Sequence, residues 1–162
     1  MSRDLAGSGG TTRIRVIRRI CADPTSTALL LAGPTALELW PGVRRIGEVG
    51  GRALVEAELE VAWAEGERVP TAASVRALPP RRTPTSFVTR FAWSGPGLPG
   101  TEGTVTLAYA PGADGTPSTH AVLTLDSAGL GGSRLDAAAL GVMAEGFLAN
   151  LAHAAESRSQ AA

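Results

Sequence analysis

Val55-Glu56-Ala57-Glu58-Leu59-Glu60-Val61-Ala62-Trp63 carries the clearest period in the chain. Val55, Ala57, Leu59, Val61 and Trp63 alternate with Glu56, Glu58 and Glu60. Side chains along a strand point to opposite faces in turn. The segment therefore reads as a half-buried antiparallel strand with one apolar face and one acidic face.

The neighbouring segments repeat this pattern. Upstream, Val43 to Val49 leads into Gly50-Gly51, a pair that permits the positive φ of a tight hairpin. Downstream, Glu65-Gly66-Glu67 turns the chain, and Thr71 to Leu78 is a weaker strand ended by Pro79-Pro80. From Ser86 to Trp93, the residues Phe87, Thr89, Phe91 and Trp93 alternate with Val88, Arg90 and Ala92. After the Gly/Pro loop at 95–100, Val105, Leu107 and Tyr109 alternate with Thr104, Thr106 and Ala108. A turn at 111–115 leads to Ala121, Leu123 and Leu125, set against His120, Val122 and Thr124.

Residues 1–12 are small, polar and Gly-rich and are expected to be a disordered tail. The domain spans 13–157. It opens with a β-branched strand, Arg13 to Ile20, in which Ile14, Val16 and by parity Arg18 share one face, and Arg15, Ile17 and Arg19 the other. Asp23-Pro24 is an N-cap followed by a proline at the first helical position, and Leu29, Leu30 and Leu31 carry the apolar load of that helix. Gly33-Pro34 stops it, and a second short helix, Pro34 to Leu39, ends at Trp40-Pro41-Gly42. The last element is a long helix from Ser133 to Ser157, with Ser133 and Asp136 placed as a capping pair. Leu140, Met143, Phe147, Leu151 and Ala154 form its apolar stripe, and 158–162 is expected to be a tail. There is no internal repeat.

Composition narrows the function. The 162 residues hold 15 basic and 15 acidic side chains, a formal net charge of zero, which argues against nucleic acid as a partner. Every basic residue is arginine, so Schiff-base chemistry on a lysine is excluded. Cys21 is the single cysteine, which excludes an internal disulfide and a cysteine-based zinc site. No metal or cofactor motif is present. The longest apolar run, Ala28 to Ala32, is too short to span a bilayer, and the N-terminus has no secretory h-region. A cytoplasmic protein with no membrane insertion, monomeric or homodimeric, is expected.

The order is strand, two short helices, six strands and one long helix. Short connections imply an antiparallel meander. The fold class is therefore α+β: a curved antiparallel sheet of about seven strands wrapped around the C-terminal helix. One helix cannot fill such a groove, so apolar space remains between sheet and helix, a natural small-molecule site. At this point the chain resembles the helix-grip superfamily of START domains, plant pathogenesis-related allergens and bacterial polyketide cyclase/dehydrase proteins. The resemblance rests on the strand before Asp23-Pro24, on Leu39-Trp40-Pro41-Gly42-Val43, and on Glu145-Gly146-Phe147-Leu148-Ala149-Asn150-Leu151. It implies a hydrophobic ligand, polyketide-like, aromatic or lipid. It also implies, in the enzymatic form, cyclisation, aromatisation or dehydration. The alternatives are a non-catalytic carrier or sensor, and a protein-interaction module using the acidic outer face.

Candidate residues follow from parity. Glu56, Glu58 and Glu60 belong to a solvated stripe, with outer-face Arg90 available for cross-strand ion pairs. Arg76 fits either face. If Leu78 points inward, so does Arg76, a permanent cation able to hold an enolate or carboxylate. Arg76, Tyr109 and Thr89 are the catalytic candidates. Tyr109 is either a pocket hydroxyl or a strand-end tyrosine in water. Trp40, Trp63, Phe87, Phe91, Trp93, Met143, Phe147 and Asn150 are the candidates for lining the ligand site, the alternative for each being plain core. His120 and His153 fall on the surface, and Cys21 reads as a small core or boundary residue.

Overall fold

The computed structural model describes residues 2–8, 11–33, 35–60, 68–78, 80–95, 98–128 and 137–161, without side chains at 2–8, 58–60, 68–71, 98–99 and 128. The strands are β1 (Ser2–Ser8), β2 (Thr11–Ile20), β3 (Val43–Val49), β4 (Arg52–Glu60), β5 (Arg68–Ala77), β6 (Arg81–Arg82), β7 (Ser86–Gly95), β8 (Leu98–Tyr109) and β9 (Thr119–Ala128). The helices are α1 (Pro24–Ala32), a 3-10 helix (Ala36–Leu39) and α2 (Ala137–Ala161). All pairings are antiparallel, in the order β1-β2-β9-β8-β7-β5-β4-β3, with β6 beside β7. The first long strand thus lies against the last, and the meander runs outward from that pair to the β3 edge.

Alternation decides which face is buried. Ile14, Val16, Val55, Ala73, Val75, Phe91, Trp93, Val105, Leu107, Ala121, Leu123 and Leu125 are buried on one face, the inner one. Their neighbours in sequence are half-buried or exposed. α2 meets this inner face with Leu140, Ala144, Phe147, Leu148, Leu151, Ala152 and Ala155. Each fully buried Leu or Ile contributes about 1.5–3 kcal/mol relative to exposure. By length and composition α2 could cross a bilayer, but its apolar side is occupied by the sheet.

Several expectations need correction. The segment 1–12 is not a tail throughout: Ser2–Ser8 pairs with β2 from Ser2↔Ile17 to Ser8↔Thr11. Backbone groups on the open edge of β2 accept a partner whatever its side chains, so small polar composition does not prevent pairing. At the other end the helix continues to Ala161, because 154–161 holds good helix formers and no Gly or Pro. Its buried stripe is also turned slightly from the one expected. Ala144, Leu148 and Ala155 are buried, whereas Met143 and Ala154 flank the stripe half-buried. The capping pair at Ser133 and Asp136 lies outside the described residues. In α1, three consecutive leucines cannot all face inward at 100° per residue; Leu30 and Leu31 pack on the core and Leu29 is exposed. Cys21 is exposed at the end of β2, its backbone N–H donating to Glu156 Oε1 at 2.9 Å.

The Asp23 cap is as the sequence implies. Its Oδ1 accepts from the Ser26 N–H at 2.9 Å and its Oδ2 from the Ser26 hydroxyl at 2.7 Å. These bonds hold the Asp23 carboxyl below the usual carboxylate range. A carboxylate depressed in the folded state contributes stability above its unfolded-state pKa, and loses it as pH falls through the folded value. Asp23→Ala is expected to cost about 1 kcal/mol at neutral pH. The difference from wild type, measured by urea unfolding, is expected to shrink as the pH falls below the ordinary carboxylate range.

Candidate functional site

The site is built on one corner of the chain. The 3-10 helix ends at Trp40, and Gly42 at φ +70° lets the backbone reverse into β3. This corner docks on α2 at two points one turn apart. The Pro41 ring occupies the space that a side chain on Gly146 would fill. Asn150 donates its Nδ2 hydrogen to the Leu39 carbonyl at 2.8 Å, pairing a carbonyl at the 3-10 helix end. Trp40 is thereby pressed into the inner face.

There it meets three other rings. Phe147 on α2 lies 4.4 Å from Trp40 between centroids, tilted by 30°. Phe91 and Trp93, two apart on β7, present edges to Trp40 at 5.3 and 5.4 Å, and lie 6.4 Å from each other. Edge-to-face pairs at these separations are each worth about 0.5–1.5 kcal/mol beyond the area they bury. The sheet accommodates the rings with small residues. Gly103 lies across from Phe91, whose ring lies over it, and Thr101 lies across from Trp93.

The structure thus brings together Trp40, Phe91, Trp93 and Phe147. Met143 is half-buried one turn before Phe147 and packs on the same core. Phe87 is further along the inner face of β7, with the Arg82 guanidinium 5.6 Å from its ring centroid. Asn150 is exposed and serves the Trp40 corner instead of lining the inner face. Trp63 lies outside the described residues.

The three catalytic candidates are not assembled. Arg76 is exposed on the outer face, since its neighbour Val75 is the buried one. Leu78, with the same parity, also faces outward. Tyr109 has inner parity but sits at the end of β8 and is 57% exposed, the strand-end alternative. Thr89 alone is on the inner face, half-buried across from Val105. His120 and His153 are exposed as expected.

Two inner-face features stand outside the candidate set, although parity already puts one of them, Arg18, on the face of Ile14 and Val16. Thr101 and Ser127, both buried, share a hydrogen bond of 3.0 Å beside Trp93. The other is Arg18. It lies across from buried Ala121, and its Nε is enclosed without a hydrogen-bond partner. The signal was available: Arg18 shares parity with Ile14, Val16 and Ile20, whereas Arg76 does not share parity with Val75. The buried polar residues described are Thr27, Thr101, Ser118, Thr119 and Ser127, all hydroxyl-bearing. Among the described residues no three His, Cys, Asp or Glu side chains lie close enough to hold a metal.

On the outer face Glu56 makes a cross-strand ion pair, with a different partner from the one expected. Glu56 is bonded to Arg44 on β3 at 3.1 Å and not to Arg90, because β5 separates β4 from β7. The side chains of Glu58 and Glu60 lie outside the described residues. Near the β3 edge, a shallow recess of about 350 Å³ is lined by Ile46, Leu54, Val55, Ala72, Ala73, Ser74, Ser94 and Gly95. It lies beside the bulge that β3 makes between Arg45 and Gly47.

Solved structures of other proteins share this architecture. A conserved protein from Geobacillus kaustophilus aligns with a TM-score of 0.62 at 10% identity, over 90% of this chain and 95% of that one. The Zhui aromatase/cyclase from Streptomyces sp. R1128 aligns with a TM-score of 0.57 at 16% identity, over 92% and 96%. The chain has the helix-grip fold of that cyclase. No protein-family model and no curated protein matches the sequence.

Two substitutions test this geometry. Gly146→Val is expected to push Pro41 off α2 and cost about 1–3 kcal/mol, with a shift in tryptophan emission as Trp40 loosens. Arg18→Met removes an enclosed donor without a partner while keeping the aliphatic length. It is expected to stabilise the fold by about 1 kcal/mol, read as a melting temperature higher by roughly 2–4 °C.

Proposed function

We propose that this protein binds a hydrophobic small molecule, aromatic, polyketide-like or lipid, between the inner face of the sheet and α2, and that it acts as a carrier or sensor. The observation that carries this reading is the gathering of Trp40, Phe91, Trp93 and Phe147 at one corner. The chain has seven aromatic residues in all, and four of them meet there, with Gly103 making room for the Phe91 ring. Rigid aromatic surface with a few hydroxyls nearby suits a flat or apolar ligand with one or two oxygen atoms. Thr89, Thr101 and Ser127 are the hydroxyls in question.

Catalysis of cyclisation, aromatisation or dehydration is the second reading, favoured by the likeness to an aromatase/cyclase. Such chemistry needs a group that moves protons or holds an enolate. Arg76 and Tyr109 sit on opposite parities and are both exposed. Arg18 brings a cation to the inner face, but among the described residues no carboxylate or histidine is buried to move a proton, so binding is better supported than catalysis.

The test begins with native mass spectrometry of the purified protein, followed by titration with 2-naphthol, oleic acid and 1-anilinonaphthalene-8-sulfonate, read by tryptophan fluorescence. A bound mass, or saturable quenching by one of these probes below about 100 μM, is expected. Thr89→Phe, which fills space between Phe87 and Phe91, is expected to weaken that binding about tenfold. An empty protein, with no response to any of the three probes, overturns the proposal. Conversion of a model polyketide chain by the wild-type protein would establish the catalytic reading in its place.

A further inference from the structure

The outer face of the sheet carries a charge pattern that a ligand site on the inner face does not use. Strand register arranges its residues in rows across the strands. One row runs Arg15, Thr124, Thr104, Arg90. The next runs Ile17, Val122, Thr106, Val88, Arg81, and a third Arg19, His120, Ala108, Ser86. On the other side of the Arg15 row, Ala92 leads to Arg76. Ile17, Val122, Thr106 and Val88 are half-buried, and the arginines and His120 around them are exposed. The result is a mainly apolar strip with arginines along its flanks and Arg81 at its end.

The basic excess is real at the β5–β7 end. Arg76, Arg81 and Arg90 have no ion-pair partner among the described residues. Elsewhere Arg13 is held by Asp126 at 2.6 Å, Arg15 has a partner of its own, and Arg19 bonds Ser118 at 3.1 Å near Asp114. Glu102 is the other acidic residue on this part of the face. Because the whole chain has no net charge, this face is basic by segregation.

We propose that this outer face docks an acidic amphipathic helix of a partner protein. From Ile17 to Arg81 the strip crosses four strand spacings, roughly 19 Å, the length of about 13 helical residues. The flanking rows lie about 13 Å apart, so a helix roughly 10 Å across can rest its apolar stripe on the strip. Carboxylates on its two sides then reach Arg90 on one flank and Arg19 on the other, and one at its end reaches Arg81. Nucleic acid is disfavoured, because the described outer face offers no aromatic ring for a base to stack on and the chain has no basic surplus. This inference stands independently of the ligand proposed for the inner face.

The probe is a synthetic, fluorescein-labelled 14-residue helical peptide with leucines along one side and glutamates on both flanks, measured by anisotropy. Saturable binding is expected, falling as sodium chloride rises from 50 to 300 mM, as for any exposed charge pairing (both roughly bracketing the physiological value). The combined variant Arg76→Glu, Arg81→Glu, Arg90→Glu is expected to weaken binding at least about tenfold, while Arg158→Glu at the far end of α2 leaves it unchanged. If the triple variant fails to fold, Arg90→Gln alone is expected to give a smaller loss of the same sign, with amide shifts confined to β7, β8 and β9. Equal binding by wild type and the reversed variant overturns the proposal. So does the absence of peptide binding, or tighter binding of a 20-nucleotide single strand or of phosphatidylglycerol vesicles than of the peptide.

Discussion

Pro41 against Gly146 is the contact on which the inner face depends. A helix can approach another segment closely where a residue has no side chain, and the approach fixes everything attached to that segment. Here the attached residue is Trp40. Its position sets where Phe147, Phe91 and Trp93 can lie, and Gly103 yields the space that the Phe91 ring takes up. Asn150 supports the same corner by pairing a backbone carbonyl that would otherwise lack a partner. A substitution at Gly146 therefore acts on the rings without touching any of them.

Much of the fold was legible because period-two alternation survives in strands whose two faces differ strongly. The parities of Val55, Phe91, Val105 and Leu123 gave the buried face of β4, β7, β8 and β9 correctly. Arg76 was ambiguous because Ala72, Ala73, Ser74 and Ala77 are small, and small residues give little contrast between faces. In that situation Val75 was the better guide, being the one β-branched apolar residue nearby. Ser2–Ser8 pairs with β2 against its composition for a different reason: pairing on an edge depends on backbone groups, which composition does not report. The turned stripe of α2 arose because alanine packs as closely as leucine in a tight helix–sheet contact, so Ala144, Ala152 and Ala155 count as core.

The aromatic residues were picked out individually, but their meeting was not. Trp40 lies 51 residues from Phe91 in sequence, and no local pattern encodes a contact of that separation. The catalytic candidates are not brought together, for the converse reason. Chemistry alone singles out Arg76, Tyr109 and Thr89, and the structure distributes them over an outer face, a strand end and an inner row. What the inner face offers near the rings is hydroxyl groups, which orient a ligand through hydrogen bonds and carry no charge at neutral pH.

The bulge in β3 bears on how the molecule behaves among its own copies. β3 is one edge of the sheet, and an open edge is a template on which another chain can add a strand. The register shift between Arg45 and Gly47 breaks the regular spacing of donors and acceptors there. Arg44, Arg45 and Glu48, all exposed, add charges that an incoming strand would have to accommodate. An apolar sheet with a flat, uncharged margin would invite fibrous aggregation at high concentration; this margin is kinked and ionic, and that protects the protein's solubility.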